Sequence, residues 1–354
     1  MKAQPTVLLL CGGASGEHEV SLASAASVLR AGSDVATWVP LVIDRDGSVL
    51  DEPTSQARLE RAEAGVPVPT REPRSGGRIG RTLVHALARL DGDRSDLAFP
   101  LLHGPNGEDG TVQGALELLG LPYVGSGVMA SASAMDKITM KRIFGGAGLP
   151  QVAWRPLALR TWRNDPDASL QAIETLPWPR FVKPANLGSS VGISRADDLD
   201  GLRVGIERAF EHDDRILVEA GETDARELEV AILGDDELIV SPAGEIRVED
   251  GFYDYERKYH DDGVRLDVPA ALDPDTLTRM QDLAVAAYRA VDASGLARVD
   301  LFLRPDGTLL VNEINTMPGF TRRSMYPRLI EEAGVPYPHL IERLLHLTLA
   351  GRAT

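Results

Sequence analysis

The chain has 354 residues, more than one small core needs and enough for two or three domains. Its 43% apolar and 25% charged residues exclude a disordered polypeptide. Its net charge of -16 excludes the basic face of a nucleic-acid binder, yet leaves room for an anionic small molecule held by a few local Lys and Arg. The single Cys11 rules out an intrachain disulfide framework and fits a reducing compartment. No segment approaches the roughly 20 apolar residues of a membrane span. Val7–Cys11 is too short an apolar run for a signal peptide, because Gly12-Gly13 follow at once. The expectation is a cytoplasmic protein with neither membrane nor nucleic acid as partner.

Thr6–Cys11, TVLLLC, reads as a buried strand. A Gly-rich loop follows, Gly12-Gly13-Ala14-Ser15-Gly16-Glu17-His18-Glu19, and then a helical stretch, VSLASAASVLRAG. Strand, loop and helix in this order commonly begin an α/β domain. Glycines and a helix start favour an anion, but Glu17 and Glu19 oppose one and suit an ammonium group better. Taken alone, the segment is a plain βα turn with a solvated acidic tip. Trp38–Ile43 is the next strand; residues 51–80 read as a variable loop, and Arg81–Leu90 as a helix. Leu97–Leu102, LAFPLL, is another buried strand, ending in His103-Gly104-Pro105-Asn106-Gly107-Glu108-Asp109-Gly110 before a helix over Thr111–Leu119.

Gly125-Ser126-Gly127-Val128-Met129-Ala130 matches GxGxxA and raises a nucleotide-dependent oxidoreductase as a rival reading. That fingerprint needs an acidic residue about 20 positions on; around Ala147 the sequence is GGAGLP, so its context fails. A helix from Ala134 to Phe144 carries Lys137 and Lys141 one turn apart, which by itself is surface charge. A domain boundary falls near residue 129. Phe181–Ile193, FVKPANLGSSVGI, is strand, loop and strand, the second strand resuming at Val191. It lacks the GxxxxGK[ST] pattern and the following helix of a Walker loop. A hairpin with Lys183 beside Gly188-Ser189-Ser190 can fold over a triphosphate, the ammonium serving as a point charge and hydroxyls and N–H groups as donors. An ordinary mobile hairpin has the same pattern.

Ile216–Glu219 is a strand ending in an acid, Arg226–Gly234 alternates polar and apolar residues, and β structure continues through Ile239-Val240 and Glu245-Ile246. Phe252–Asp262, FYDYERKYHDD, lacks periodicity and reads as a functional loop. Residues 274–292 form an amphipathic helix. Then RVDLFL and TLLVNEIN flank Arg304-Pro305-Asp306-Gly307, a hairpin turn. With Pro305 and Asp306 at the tip, Arg304 faces Gly307, Asp300 faces Val311 and Arg298 faces Glu313; a bulge after Gly307 shifts this register by one. Alternation puts Arg298, Asp300, Glu313 and Asn315 on one face, and Val299, Leu301, Leu310 and Ile314 on the other. Three oxygen donors and a guanidinium suit Mg²⁺ sharing its shell with phosphates; a solvated polar sheet face has the same alternation. Tyr326–Leu349 holds the closing helices.

Read together, GGASGEHEVS, HGPNGEDGTVQG, GLPYVGSG, MDK, KPANLGSSVGIS, RELEVAILG, FYDYERKY, ARVD and NEINTMPGFT, in this order, closely resemble the D-alanine–D-alanine ligases of the ATP-grasp superfamily. The resemblance spans nearly the whole chain and removes the oxidoreductase, since the GSG turn belongs to the ligase pattern. It implies an α/β (α+β) class and a three-domain ATP-grasp architecture: an N-terminal parallel-sheet domain over 1–128, a central subdomain over 129–226 and a C-terminal subdomain over 227–354. It implies ATP and Mg²⁺ (or Mn²⁺) as cofactors, a homodimer, and ligation of two D-alanines through an acyl phosphate for peptidoglycan precursor synthesis. Relatives that use D-serine or D-lactate second are the alternative.

By motif, the resemblance places Glu17 at the ammonium of the first D-alanine, with His103 in the same pocket. Lys137 and Lys183 contact the ATP phosphates, Ser189 and Ser190 lie in the closing loop, and Glu219 and Glu227 lie at adenine and ribose. Asp300, Glu313 and Asn315 bind the metal, and Arg298 with the Gly319 N–H stabilises the oxyanion. Ser324 and Lys258 take the second carboxylate, while Tyr259 reaches towards Ser189 and Glu17 to close the site and goes with D-alanine specificity. There is one departure: after Glu219 the family continues with another Glu or Lys and a hydrophobic or aromatic residue, whereas this chain has Ala220-Gly221-Glu222-Thr223-Asp224-Ala225.

Overall fold

Three sheets, each built on its own stretch of sequence, organise the chain in the computed structural model, which describes residues 4–66, 68, 70, 95–188, 191–248 and 264–351. The expected Arg81–Leu90 helix, the Phe252–Asp262 loop, and Ser189, Ser190, Lys258 and Tyr259 fall outside the described residues. No helix among the described residues is long and apolar enough to cross a membrane.

The first sheet is parallel, with strands β1 (Thr6–Gly12), β2 (Thr37–Ile43) and β3 (Leu97–Leu101) in the order β2-β1-β3. Its middle strand is buried almost end to end, which explains the unbroken run VLLLC. Parallel strands are covered on both faces and so lose alternation. The helix His18–Ala31 packs on it. Residues 52–63, expected as part of a loop, form a helix instead. Asp51 caps it by accepting from the Thr54 N–H at 2.8 Å, Pro53 stands in its first turn, and Leu59 is buried beneath it.

The second sheet is antiparallel, with β4 (Trp154–Ala158), β5 (Arg180–Pro184), β6 (Ser194–Ala196) and β7 (Arg215–Ala220) in the order β4-β7-β5-β6. The helix Leu199–Phe210 covers one face through Leu202, Ile206 and Ala209. Strand β6 begins at Ser194, three residues later than expected, because Val191-Gly192 belongs to a turn in which Gly192 takes φ +74°.

The third sheet is also antiparallel: β8 (Arg226–Leu233), β9 (Ile239–Val248), β10 (Val264–Asp267), β11 (Leu296–Leu303) and β12 (Leu309–Asn315), ordered β10-β9-β8-β11-β12. One face rests on the helix Pro274–Ala290 through Val230, Ile232, Val299, Leu301 and Val311. Met325–Glu332 packs on part of the other face and joins it to the first sheet through a core containing Leu9, Phe99, Phe320 and Tyr326.

The β11–β12 register differs from the expected one in two places. Pro305-Asp306-Gly307 is a three-residue loop with Gly307 at φ +83°, so Arg304 faces Thr308, donating its N–H to that carbonyl at 2.9 Å. Leu301 then faces Val311, and a bulge leaves Asn312 as an extra residue, so Asp300 faces Glu313 and Arg298 faces Asn315. The two shifts preserve parity at the polar end: Arg298, Asp300, Glu313 and Asn315 do share a face. They reverse it in between, so Val311 and not Leu310 enters the core below.

Phe320 is wholly buried where the first sheet meets the closing helices. Its ring lies 5.6 Å from Phe99, 5.9 Å from Tyr326 and 5.8 Å from Tyr337. Phe320→Ala should lower unfolding free energy by about 3–5 kcal/mol. Leu118→Ala, at a side chain 91% exposed, should stay within about 0.5 kcal/mol of the parent. Equal denaturant midpoints for the two variants would refute the assignment of this cluster as the joint.

Candidate active site

The polar face of the third sheet is assembled by cross-strand pairing. Glu229 on β8, Asp300 on β11 and Glu313 on β12 stand directly opposite one another. Like charges in this arrangement repel, and two cations offset them. Arg298 is 7% exposed; it donates from Nε and Nη2 to the two Asp300 oxygens at 2.7 Å each, and its Nε is 3.2 Å from Glu229. Burial disfavours its charge, but Asp300 and Glu229 overcome this and raise its pKa well above the usual value, so it is a permanent cation. Lys137 Nζ lies 3.7 Å from Glu313 and donates to the Leu187 carbonyl at 2.8 Å.

Lys137, Glu229, Arg298 and Glu313 open into a cavity of about 610 Å³, a size that suits small ligands, whereas Asp300, bonded to Arg298, is not among its lining residues. It brings together eight residues predicted from sequence: Glu17, His103, Lys137, Arg298, Glu313, Asn315, Gly319 and Ser324. Glu17 comes from the loop after β1, just before the helix that starts at His18. A Cβ on Gly188 would lie 3.7 Å from its carboxylate and one on Gly104 3.9 Å from it, so three loops meet at this acid. His103 is buried, with Nδ1 3.1 Å from the Met317 carbonyl and 3.9 Å from Glu108. Burial works against protonation, but the Glu108 and Glu17 carboxylates prevail and raise its pKa. Ser324 stands at the N-cap position of Met325–Glu332 without a side-chain bond to that helix; its Oγ accepts from the Thr321 N–H at 3.1 Å, and a Cβ on Gly319 would approach it to 3.2 Å. A helix start that lines the cavity beside a hydroxyl suits a carboxylate.

A second cavity of about 570 Å³ is lined by Lys183, Glu219 and Glu227, together with Phe181 and Phe302. Burial raises the Glu227 pKa, Lys183 opposes that rise, and Asp300 and Glu313 add to it. Glu219 is 3% exposed and binds two ammonium groups: one oxygen pairs with Lys183, and the other lies 3.1 Å from Lys141. Lys141, read from sequence as surface charge, is in fact 2% exposed.

Among the described residues no group of three or more His, Cys, Asp or Glu side chains converges as a metal cage. Asp300 and Glu313 face each other, with Asn315 beside them; Asn315 Oδ1 accepts from the Met317 N–H at 2.9 Å and has a second lone pair. Two carboxylates and an amide fit Mg²⁺, which takes its remaining ligands from phosphate and water. Sequence reasoning passed over Glu108, Lys141 and Glu229. For Glu229 a signal was there, since it is two residues from Glu227 on one strand face.

Comparison with known proteins places the chain beside one family. Residues 6–126 match the D-ala D-ala ligase N-terminus model and residues 143–346 the D-ala D-ala ligase C-terminus model. A D-alanine–D-alanine ligase of Deinococcus radiodurans is 46% identical over 98% of this chain and 99% of its own length. One from Listeria welshimeri is 46% identical over 96% and 94%. Among solved structures, the VanG D-Ala:D-Ser ligase of Enterococcus faecalis has a TM-score of 0.80 at 32% identity, covering 98% of this chain and 100% of that one. The D-alanine–D-alanine ligase of Coxiella burnetii has 0.78 at 30%, covering 99% and 95%.

The Glu219 ion pairs carry a pH signature. Burial alone would raise its pKa, but Lys141 and Lys183 bring it from 4.5 down to about 2. A carboxylate depressed on folding contributes stability above its unfolded pKa and loses it as pH falls through the folded one. Glu219→Gln should cost about 3–5 kcal/mol near neutrality. The gap in Tm between parent and variant should shrink as pH falls from 4.5 towards 2. A gap that is constant with pH would contradict this pairing.

Proposed function

The chain belongs to the D-ala D-ala ligase family, and on that premise we propose how its residues carry out the ligation of two D-alanines. The reaction is ATP-dependent. The carboxylate of one D-alanine is phosphorylated, the amine of a second attacks the acyl phosphate, and phosphate leaves from the tetrahedral intermediate. ADP and D-alanyl-D-alanine, a peptidoglycan precursor, are released. The observation that carries the reading is the convergence of Glu17, Arg298, Glu313 and Ser324 on one cavity.

Glu17 holds the first ammonium group, with His103 in the same wall. Arg298 and the Gly319 N–H meet the oxyanion. Preorganised donors of this kind act where charge develops, and Arg298 is already fixed by Asp300 and Glu229. Ser324 and Lys258 take the second carboxylate. Lys137 and Lys183 hold the ATP phosphates together with Ser189 and Ser190, and the cavity walled by Phe181 and Phe302 takes adenine and ribose beside Glu219 and Glu227. Asp300, Glu313 and Asn315 would hold Mg²⁺ or Mn²⁺, which when bound neutralises charge on the phosphates. By the resemblance, Tyr259 would help to exclude water that would otherwise hydrolyse the acyl phosphate. The domain division at 128 and 226, a homodimer and a cytoplasmic location belong to the same proposal; a separate sheet within each range supports the division.

D-serine as second substrate is the competing reading, suggested by the VanG neighbour at 32% identity. The relatives at 46% identity favour D-alanine. In a coupled ADP-release assay with product analysis, offered D-alanine, D-serine and D-lactate equally at neutral pH, D-alanyl-D-alanine should dominate. A predominant ester or D-alanyl-D-serine would overturn the specificity.

Arg298→Ala should lower kcat by about 10²–10³-fold, the usual loss for one oxyanion donor, with little change in ATP affinity. A loss confined to nucleotide binding would refute that role. Glu313→Gln should likewise reduce turnover by orders of magnitude while leaving the fold intact, and parent-like activity at limiting Mg²⁺ would remove it from the metal site.

A further inference from the structure

Lys141 has no role in the mechanism above, yet it is an almost fully buried ammonium. It lies on the helix Lys137–Gly146, one turn beyond Lys137, and lines neither cavity. Its Nζ is 3.1 Å from Glu219 Oε2, a contact without hydrogen-bond alignment, while Glu219 Oε1 pairs with Lys183. Lys183 alone of the two lysines reaches the second cavity. A buried charge costs more than a methionine of similar volume would at this position, so packing does not account for it.

We propose that Lys141 is a positioning residue for nucleotide binding, acting through Glu219 so that the charge of Lys183 remains available to the phosphates of ATP. The inference rests on reading the second cavity as the nucleotide site. The three groups carry two positive charges and one negative, a net surplus of one. Without Lys141, Lys183 and Glu219 form a neutral pair. Lys183 also feels Glu313 and Glu227, so losing Lys141 makes its surroundings more anionic by one charge and less favourable to a triphosphate. With Lys141 present, Glu219 is shared between two ammonium groups, so its charge only partly offsets that of Lys183, which lines the cavity. Burial pushes the Lys141 pKa down, while Glu219 pulls it back up.

The test compares equilibrium binding of ATP with Mg²⁺ and of adenosine, which has the base and ribose but no phosphate, to three proteins: the parent, Lys141→Met and Lys141→Met/Glu219→Gln. In Lys141→Met the ratio of ATP to adenosine affinity should fall on the order of tenfold, the effect of one unit charge acting at intermediate effective dielectric. Adenosine binding itself should hold. In the double variant the surplus charge returns to Lys183 alone, and the ratio should recover to within about threefold of the parent. An unchanged ratio in Lys141→Met, a parallel loss for both ligands, or no recovery in the double variant would overturn the proposal. A parent that binds ATP no better than adenosine would overturn the nucleotide-site reading, and this inference with it.

Discussion

Arg298 sits on the fourth strand of a five-stranded sheet with almost no access to water, and the arrangement around it follows from keeping that charge there. A buried guanidinium is tolerated when its donors are filled by carboxylates of fixed geometry. Asp300 fills two of them from the same strand, two residues away, and Glu229 approaches from the strand beside it. Both partners depend on register. Asp300 shares a face with Arg298 because strand side chains alternate, and Glu229 comes level because β8 pairs antiparallel with β11 in that phase. A slip of one residue in either strand would put an apolar side chain against the guanidinium and the carboxylates into the core over Pro274–Ala290.

The same register governs the other side of β11. The bulge at Asn312 swings Glu313 and Asn315 onto the Arg298 face while keeping Val311 and Ile314 beneath it. Strand β12 is an edge, yet it is not open along its length: the Val311 N–H donates to the Pro150 carbonyl at 2.8 Å. This contact joins the third sheet to the segment that leads into the second one. Lys137 does a similar job from its own helix, bonding Leu187 in the hairpin loop while lying near Glu313. The helix that presents Lys137 is capped by Asp136, which accepts from the Thr139 N–H at 2.8 Å, and the Lys137 N–H itself donates to Ala185. Cations and loop carbonyls are thus held by one helix start.

Much of this was legible in the sequence because it is periodic or punctuated. The continuous run of β1 and the alternation in RVDLFL reveal their burial. The shared face of the four polar hairpin residues survives two register shifts because the shifts cancel in parity; Leu310 and Val311, lying between them, do not benefit and were exchanged. The helix at 52–63 escaped because its mean composition is polar and only Ser55 and Leu59 face inward. Its cap, Asp51 ahead of Pro53-Thr54, was the readable sign. Lys141 escaped for a different reason. Nothing in the helical spacing of MDKITMK tells which lysine meets a carboxylate 78 positions along, since Glu219 reaches it only after β7 has paired with β5. Pairwise charge contacts at long separation are set by topology, and a sequence shows them only through a family resemblance.

The cavity itself belongs to no single sheet. Glu17 comes from the turn after β1, His103 from the end of β3, Lys137 from a helix between sheets, and Arg298 from the third sheet. Their relative placement therefore depends on joints between separately built cores. Phe320 is one such joint: its backbone N–H donates to Ser24 Oγ, on the helix His18–Ala31, at 3.3 Å, and its carbonyl accepts from Tyr337 at 2.6 Å. Gly319 immediately precedes it. The oxyanion donor proposed at Gly319 is thus flanked on one side by a ring buried against the first sheet and on the other by Ser324, the residue at the start of a helix on the third. Side chains that catalyse by being fixed in advance need such anchoring, because displacements near 1 Å already lower rates by about a hundredfold. The aromatic cluster around Phe320 is in this sense part of the site, although none of its rings needs to touch a substrate.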